Sequence, residues 1–180
     1  MAVRDGARRE PRGKDHLSSP LDHVLRHNTW ATGALLDFCR TLDPARLDDH
    51  AAGTYGTLYG TLQHLVGAEQ WYVQLLTGEL VGARIRRGQR HTLDELASIA
   101  AAIGAREMTV AASDDPDRQI VMDEGKGPRT TVGVVLAQLV HHGNEHRSQA
   151  TTILGASGIE PPAVSAWAYG RAAGISETGE

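Results

Sequence analysis

Three of the nine histidines lie close together late in the sequence, in the segment QLVHHGNEHRSQATTIL of residues 138–154. His142 and His146 are four residues apart, so on a helix their side chains lie on one face, about one turn from each other. Two imidazoles at that spacing can bind one metal ion, because zinc–nitrogen distances are about 2.1 Å. The alternative is a pair of polar residues on a hydrated face, and this pair alone does not decide between the two.

A third histidine on another helix would favour the metal site, and His64 in TLQHLVGAEQWY is the candidate. Its neighbours on the helix face are mainly apolar, so we expect its side chain to point inward. In a helical bundle the inner faces of two helices come within reach of each other. One histidine from one helix and two from another would make an open three-histidine site of the kind found in catalytic zinc proteins. The alternative for His64 is a hydrogen-bonded histidine of the core.

Other histidines repeat parts of this pattern. His23 and His27 are also four residues apart, and His27 is in register with apolar positions of the same segment. We therefore expect His27 to be a pocket residue or to support a ligand. His50 and His91 lie in predicted loops or at helix starts, where we expect solvated side chains.

Several neighbours of the histidines are candidates for supporting roles. Gln149 lies nearly one turn beyond His146, where it either orients a ligand or belongs to the core. Arg147 does not lie on the helix face that carries His142 and His146, which favours a structural role. Aromatic side chains near the second helix either line the opening to the site or pack against the core: Tyr55, Tyr59 and Trp71.

Four amphipathic segments must position these side chains, because apolar residues recur in each at three- and four-residue spacing. The helices are predicted over residues 20–42, 57–77, 92–112 and 130–154, with Gly155 as the stop of the last. A small hairpin or extended loop is expected over 119–131, and a short helix after 161–162.

The pattern predicts an all-α four-helix bundle with long crossover connections and a short C-terminal helix. We place the bundle at residues 21–170, a disordered arm at 1–20 and a flexible tail at 171–180.

Composition narrows the classes of function. The net charge is −4 with no basic stripe, which argues against a nucleic-acid partner. No apolar run approaches the roughly 20 residues that span a membrane, and no secretory signal is evident, so we expect a cytoplasmic location. Cys39 is the one cysteine, which excludes an intrachain disulfide. It lies in an apolar helical stripe, so it is an unsuitable nucleophile.

Three segments, in order, resemble the DinB/YfiT-like superfamily of metal-binding four-helix bundles. HNTWATGALLDFC (27–39) resembles its first helix, GTLYGTLQHLVGAEQWYVQLLTG (56–78) its second and VVLAQLVHHGNEHRSQATTILGASGIEPP (134–162) its fourth, with the H-x-x-x-H-R-x-Q signature. WAYG near the end also fits. The resemblance covers roughly 21–170, and it implies His64, His142 and His146 as the metal ligands.

The same superfamily includes thiol-dependent enzymes, among them mycothiol-dependent maleylpyruvate isomerases and bacillithiol S-transferases. In the isomerases the first residue of the fourth-helix pair is usually glutamate, whereas this chain has His142. This departure favours the general DinB group or its transferase-like branch. The resemblance thus implies a divalent metal ion, with zinc or nickel expected, and a low-molecular-weight thiol such as mycothiol or bacillithiol.

The function expected is transfer of such a thiol to an electrophilic small molecule. A non-catalytic metal-binding or stress-associated protein is the alternative, as is a metal-dependent hydrolase or isomerase. Members of the family are often homodimers, so we expect a homodimer here.

Overall fold

Four long helices form the body of the protein, in a computed structural model that describes residues 19–86 and 88–177. The elements run in the order α1 (Pro20–Arg40), a 3-10 turn (Pro44–Asp48), α2 (Leu58–Thr77), α3 (Leu93–Ser113), β1 (Gln119–Val121), α4 (Met122–Gly125), β2 (Arg129–Thr131), α5 (Val132–Ala156) and α6 (Ala166–Ala172). The prediction of an all-α bundle with a short C-terminal helix is confirmed. Residues 1–18 and 178–180, which hold most of the predicted arm and the end of the predicted tail, lie outside the described residues.

Local sequence signals fix where the helices begin. Ser19 and Thr92 form capping boxes with the third helical residues of α1 and α3, which satisfies backbone N–H groups that a helix start leaves unpaired. Thr57 and Thr131 accept backbone hydrogen bonds at the starts of α2 and α5. These observations confirm the predicted helix starts to within one or two residues.

The ends of α2 and α5 differ. Gly78 ends α2 in the left-handed conformation, with φ of 76°, which glycine adopts without steric cost. The prediction that Gly155 ends α5 is wrong. The helix continues through Gly155 to Ala156, and Ser157 is its cap. Gly155 has no left-handed φ, so it acts as an ordinary helical residue.

The helices pack as two pairs that share one core. α1 lies mainly against α3, and α2 mainly against α5, with further contacts between α2 and α3 and between α1 and α5. The predicted hairpin is present as β1 and β2, which pair antiparallel and flank α4. The centre of the bundle is apolar and consists of side chains from all four long helices: Leu35, Leu36, Leu58, Leu62, Val66, Leu96, Ile103, Leu139 and Ile153. Within the described residues, no helix is long and apolar enough to cross a membrane.

Candidate metal centre

Three histidines converge where α2 faces α5. His64 comes from α2, and His142 and His146 come from successive turns of α5. One ring nitrogen from each residue lies within 4.8 Å of the other two. The Nε2 atoms of His64 and His142 are 3.3 Å apart, close to the roughly 3.4 Å that separates two nitrogens on one tetrahedral zinc ion with bonds of about 2.1 Å. The structure therefore brings together the three residues that the sequence put forward.

Burial favours the neutral form of two of these imidazoles, His64 and His142. His142 and His146 are 8% and 6% exposed, and His64 is partly buried. Burial, with smaller contributions from the neighbouring charges, lowers the pKa of His142 to about 4. Burial and the nearby His146 also lower the pKa of His64. A neutral imidazole has a free lone pair, which is the form that binds metal.

Gln149 fixes the orientation of one of the histidines. Its Oε1 atom lies 3.0 Å from Nδ1 of His146 and accepts the backbone N–H of Tyr55 at 3.1 Å. An amide oxygen only accepts, so Nδ1 of His146 carries the proton and Nε2 is left free for a metal. Nδ1 of His142, in contrast, is buried without a hydrogen-bond partner among the described residues.

Tyr55 covers the outer side of the cluster. Its ring is stacked on His64, with centroids 4.0 Å apart and planes 11° from parallel, and it meets His146 edge-on. The side chain is 53% exposed. Within the described residues, no fourth histidine, cysteine or carboxylate joins the three histidines, so the protein itself offers three nitrogen ligands and an aromatic ring beside them.

Two predicted site residues lie elsewhere. His27 has Nε2 2.8 Å from the carbonyl oxygen of Val164 and packs against Tyr169, at the C-terminal helix. Tyr59 is buried, and its hydroxyl donates to the carbonyl of His91 and accepts the backbone N–H of the same residue. The structure does not bring either to the histidine cluster. The expectation of a solvated His91 is wrong, because this side chain is 5% exposed.

Trp71 does lie near the cluster. A cavity of about 680 Å³ opens beside His64, and its wall includes Tyr55, Trp71 and Arg86. One of the metal candidates, His64, therefore borders a space large enough for a small molecule.

A second polar cluster, which the sequence reading missed, lies inside the bundle. We call Asn28, Glu69, Glu107 and Arg147 the buried network. All four are at most 3% exposed. The amide of Asn28 donates to Glu69 at 3.0 Å, and the guanidinium of Arg147 donates to the Asn28 carbonyl and to Thr32.

Burial raises the pKa of both acids, to about 7 for Glu69 and about 8 for Glu107. The positive charge of Arg147 opposes this rise in each case, and the hydroxyl of Thr29, which donates to Glu107 at 2.9 Å, does the same for Glu107. Two buried carboxyl groups that share one guanidinium are thus favoured with one or both protonated.

A signal for the buried network was present in the sequence. Glu69 is in register with the apolar positions Leu62, Leu65 and Val73 of α2, and Glu107 with Ile103 of α3. An acidic residue in an apolar stripe indicates a buried charge with a partner.

Known proteins share both the sequence pattern and the fold of this chain. The sequence model of the DinB family matches residues 16–179. Among solved structures, the chain is similar to a DinB-like protein from Bacillus cereus, with a TM-score of 0.60 and 20% sequence identity over 77% of this chain and 91% of that one. At that identity the likeness concerns the fold alone. No curated protein matches the sequence.

Proposed function

Because this chain belongs to the DinB family, we propose that it is a divalent-metal-dependent S-transferase that joins a low-molecular-weight thiol to an electrophilic small molecule. Zinc and nickel are the metals we expect, and mycothiol and bacillithiol are the thiols. The cytoplasmic location and the homodimer stay predictions.

One observation carries this proposal. Three imidazoles converge with their ligand atoms within 4.8 Å of one another, and a cavity lies directly beside His64. A structural zinc site is usually closed by four protein ligands, whereas a catalytic one keeps a position for water or substrate. A set of three protein ligands beside a cavity matches the second kind.

A site of three imidazole ligands also fits the activation of a thiol. A bound divalent ion lowers the pKa of a coordinated thiol and so supplies a thiolate at neutral pH. Gln149 holds His146 with Nε2 toward the cluster, and Tyr55 limits access of water to His64 by stacking on its ring. In the reaction the thiol loses its proton, its sulfur forms a bond to the electrophilic carbon, and a leaving group such as a halide departs with the bonding electrons.

The thiol comes from outside the protein. Cys39 is 1% exposed, and burial raises the pKa of its thiol to about 12. A thiol in that environment is almost entirely protonated at neutral pH and is inert as a nucleophile.

The experiment is a titration of the cobalt-loaded protein with mycothiol, bacillithiol and simple thiols. Thiolate coordination should add an intense charge-transfer band near the ultraviolet, and metal should be required for consumption of the thiol by a haloarene or an epoxide. Both signals should vanish in His146→Ala. They should persist in His141→Ala, which removes an exposed histidine of the same helix.

If no thiol changes the cobalt spectrum and none is consumed faster than in buffer, the transferase proposal fails. A non-catalytic metal-binding protein would then be the better description.

A further inference from the structure

Two cavities adjoin at Trp71, and we call them together the Trp71 cleft. The first, of about 680 Å³, is bordered by His64 and Arg86. The second, of about 730 Å³, is bordered by Arg84 and Lys126. Trp71 is a wall of both and is 43% exposed. The cleft thus has His64 and Arg86 in one cavity, Arg84 and Lys126 in the other, and the indole ring as a wall of both.

The segment that bears the two arginines is fixed to α2. The side chain of Gln70, which is 3% exposed, donates to the carbonyls of Val81 and Ala83 at 2.7 and 2.8 Å and accepts the N–H of Ile85 at 3.0 Å. These three bonds hold the backbone on both sides of Arg84.

A glycine of α2 completes this arrangement. A Cβ at Gly67 would lie 3.1 Å from a methyl carbon of Ile85, so the absence of a side chain lets Ile85 pack closely against the helix. Arg84 and Arg86 flank Ile85 in sequence, and each borders a different cavity. The arginines are therefore placed by the fold and are not scattered along a loop.

The cationic side chains of the cleft have no paired carboxylate among the described residues. Arg40, Arg46, Arg106 and Arg118 pair with carboxylates. In the part of the chain that the structure describes, no carboxylate pairs with Arg84, Arg86 or Lys126. No acidic side chain is among the described residues that border either cavity. In a protein of net charge −4, such a region attracts anions locally.

We propose that the Trp71 cleft binds the carboxylate-bearing part of a small molecule that reacts at the histidine cluster. Arg86 on the His64 side of Trp71, and Arg84 with Lys126 on the other side, attract and hold the anionic part of the ligand, because guanidinium groups bind carboxylates through charge-assisted hydrogen bonds. The indole of Trp71, a wall of both cavities, packs against the ligand. This proposal rests on the proposed function, and it adds that one of the two reactants is an organic anion.

The test compares anionic probes with their neutralised esters on the zinc-loaded protein, by calorimetry. Glutathione and its diethyl ester probe the thiol as the source of the carboxylate, and 4-chloro-3-nitrobenzoate and its methyl ester probe the electrophile. For at least one pair the free acid should bind more tightly than the ester. The net negative charge of the protein acts against that preference, so a local cationic site is needed to produce it.

The preference should depend on the arginines. Arg84→Gln and Arg86→Gln should each weaken binding of the preferred anion by roughly fivefold and leave the ester unchanged. The effect should shrink as salt is raised. Arg26→Gln is the matched control, since it removes one exposed positive charge from a residue that borders neither cavity.

The outcomes separate this proposal from the transferase. If neither acid binds more tightly than its ester, or if the preference survives in both arginine variants, the Trp71 cleft is not an anion site. A cobalt charge-transfer band with neutral 2-mercaptoethanol reports thiol binding at the histidine cluster independently of the cleft. A charge-transfer band without a preference for the free acids would support the transferase and contradict the anion site. A preference for a free acid without a band for any thiol would support the anion site and contradict the transferase.

Discussion

Helix α5 contributes to two polar clusters of opposite character. Toward one it presents His142 and His146, which meet His64. Toward the other it presents Arg147, which joins the buried network. The two clusters share a helix and a low exposure to solvent, but they differ in the charges that their members carry.

The buried network supplies its own counter-charge. Arg147 makes hydrogen bonds to Asn28, Thr32 and Asn144, and its charge stabilises the ionised form of both acids. The histidine cluster instead brings together one ring nitrogen from each of three imidazoles, and no carboxylate joins them among the described residues. Converging imidazoles indicate a site for a metal cation, whereas a guanidinium buried near two acids indicates a structural role.

The same cause moves the pKa values in opposite directions. Burial lowers the pKa of His64 and His142 and raises that of Glu69 and Glu107, because it disfavours whichever form is charged. In the histidines this leaves metal-binding lone pairs at neutral pH. In the acids it leaves a proton inside the protein.

The largest effect is expected from removal of the guanidinium. Arg147→Met leaves two buried carboxyl groups without a cation, so the free energy of unfolding should fall by about 3–5 kcal/mol. Chemical denaturation of the metal-free protein measures this. Adding Glu69→Gln and Glu107→Gln should restore most of the loss, since the buried charges are then gone. An Arg147→Met protein as stable as the parent would mean that the network is not held together by its charges.

A smaller effect is expected at the glycine beside His142. A Cβ at Gly143 would lie 2.5 Å from Oδ1 of Asn28 and 2.9 Å from Oε1 of Glu69. Gly143→Ala should therefore destabilise the protein by about 1–3 kcal/mol through overpacking.

Gly155→Ala is the matched control for that substitution. It lies in the same helix with no heavy atom of another segment within 4 Å of the added carbon, and alanine there should stabilise by up to about 1 kcal/mol. Equal effects of the two alanines on the denaturation midpoint would contradict the close packing of the network against α5.

The histidine cluster should respond in metal affinity and not in stability. Gln149→Ala removes the acceptor of the His146 N–H, so affinity for zinc should fall by about tenfold or somewhat more. Gln138→Ala, about three turns earlier in α5 and with an exposed side chain, should leave the affinity unchanged. Competition with a chelator dye measures the zinc affinity of both variants. An unaltered affinity in Gln149→Ala would show that Gln149 does not support His146 as a ligand.

The pH dependence of the metal-free protein should be the smallest effect. Glu69 and Glu107 have folded pKa values of about 7 and 8, above the unfolded value of about 4.3. In this window the folded state holds more protons than the unfolded state, so stability should fall as pH rises, by about 1–2 kcal/mol between pH 6.5 and 8. His142 acts in the opposite sense and at lower pH. Its folded pKa is about 4, so its contribution is lost as pH falls from 6.5 toward 4.

In the double variant Glu69→Gln, Glu107→Gln the free energy of unfolding should no longer decline above pH 6.5. Denaturation curves at pH 6.5 and 8.0 for both proteins check this. A parent protein whose stability is flat over that range would show that the two acids are ionised at all these pH values.

Helix periodicity made the metal candidates predictable. An i, i+4 histidine pair and one inward histidine are local patterns, and a bundle requires inner faces to meet. Periodicity was also sufficient for the four long helices, except that α5 ends at Ala156 and not before Gly155. It did not single out Glu107, which is buried among the apolar residues of α3.

The remaining features depend on contacts between distant segments. The hydrogen bonds of Gln70 to residues 81–85 and those of Tyr59 to His91 join α2 to the connection before α3. Nothing in the local pattern of that connection indicates which of its residues α2 will hold. For the same reason the sequence did not reveal that Arg84 and Arg86 border cavities or that His91 is buried.

Metal analysis of protein purified without an affinity tag tests the central claim most directly. After loading with zinc and dialysis, the parent protein and His141→Ala should each retain one divalent ion per chain. His64→Ala should bind zinc on the order of a thousandfold more weakly, because one of three protein ligands is gone, and its metal-free form should remain folded. Full zinc occupancy in a folded His64→Ala protein, or none in the parent, would contradict a metal centre built from His64, His142 and His146.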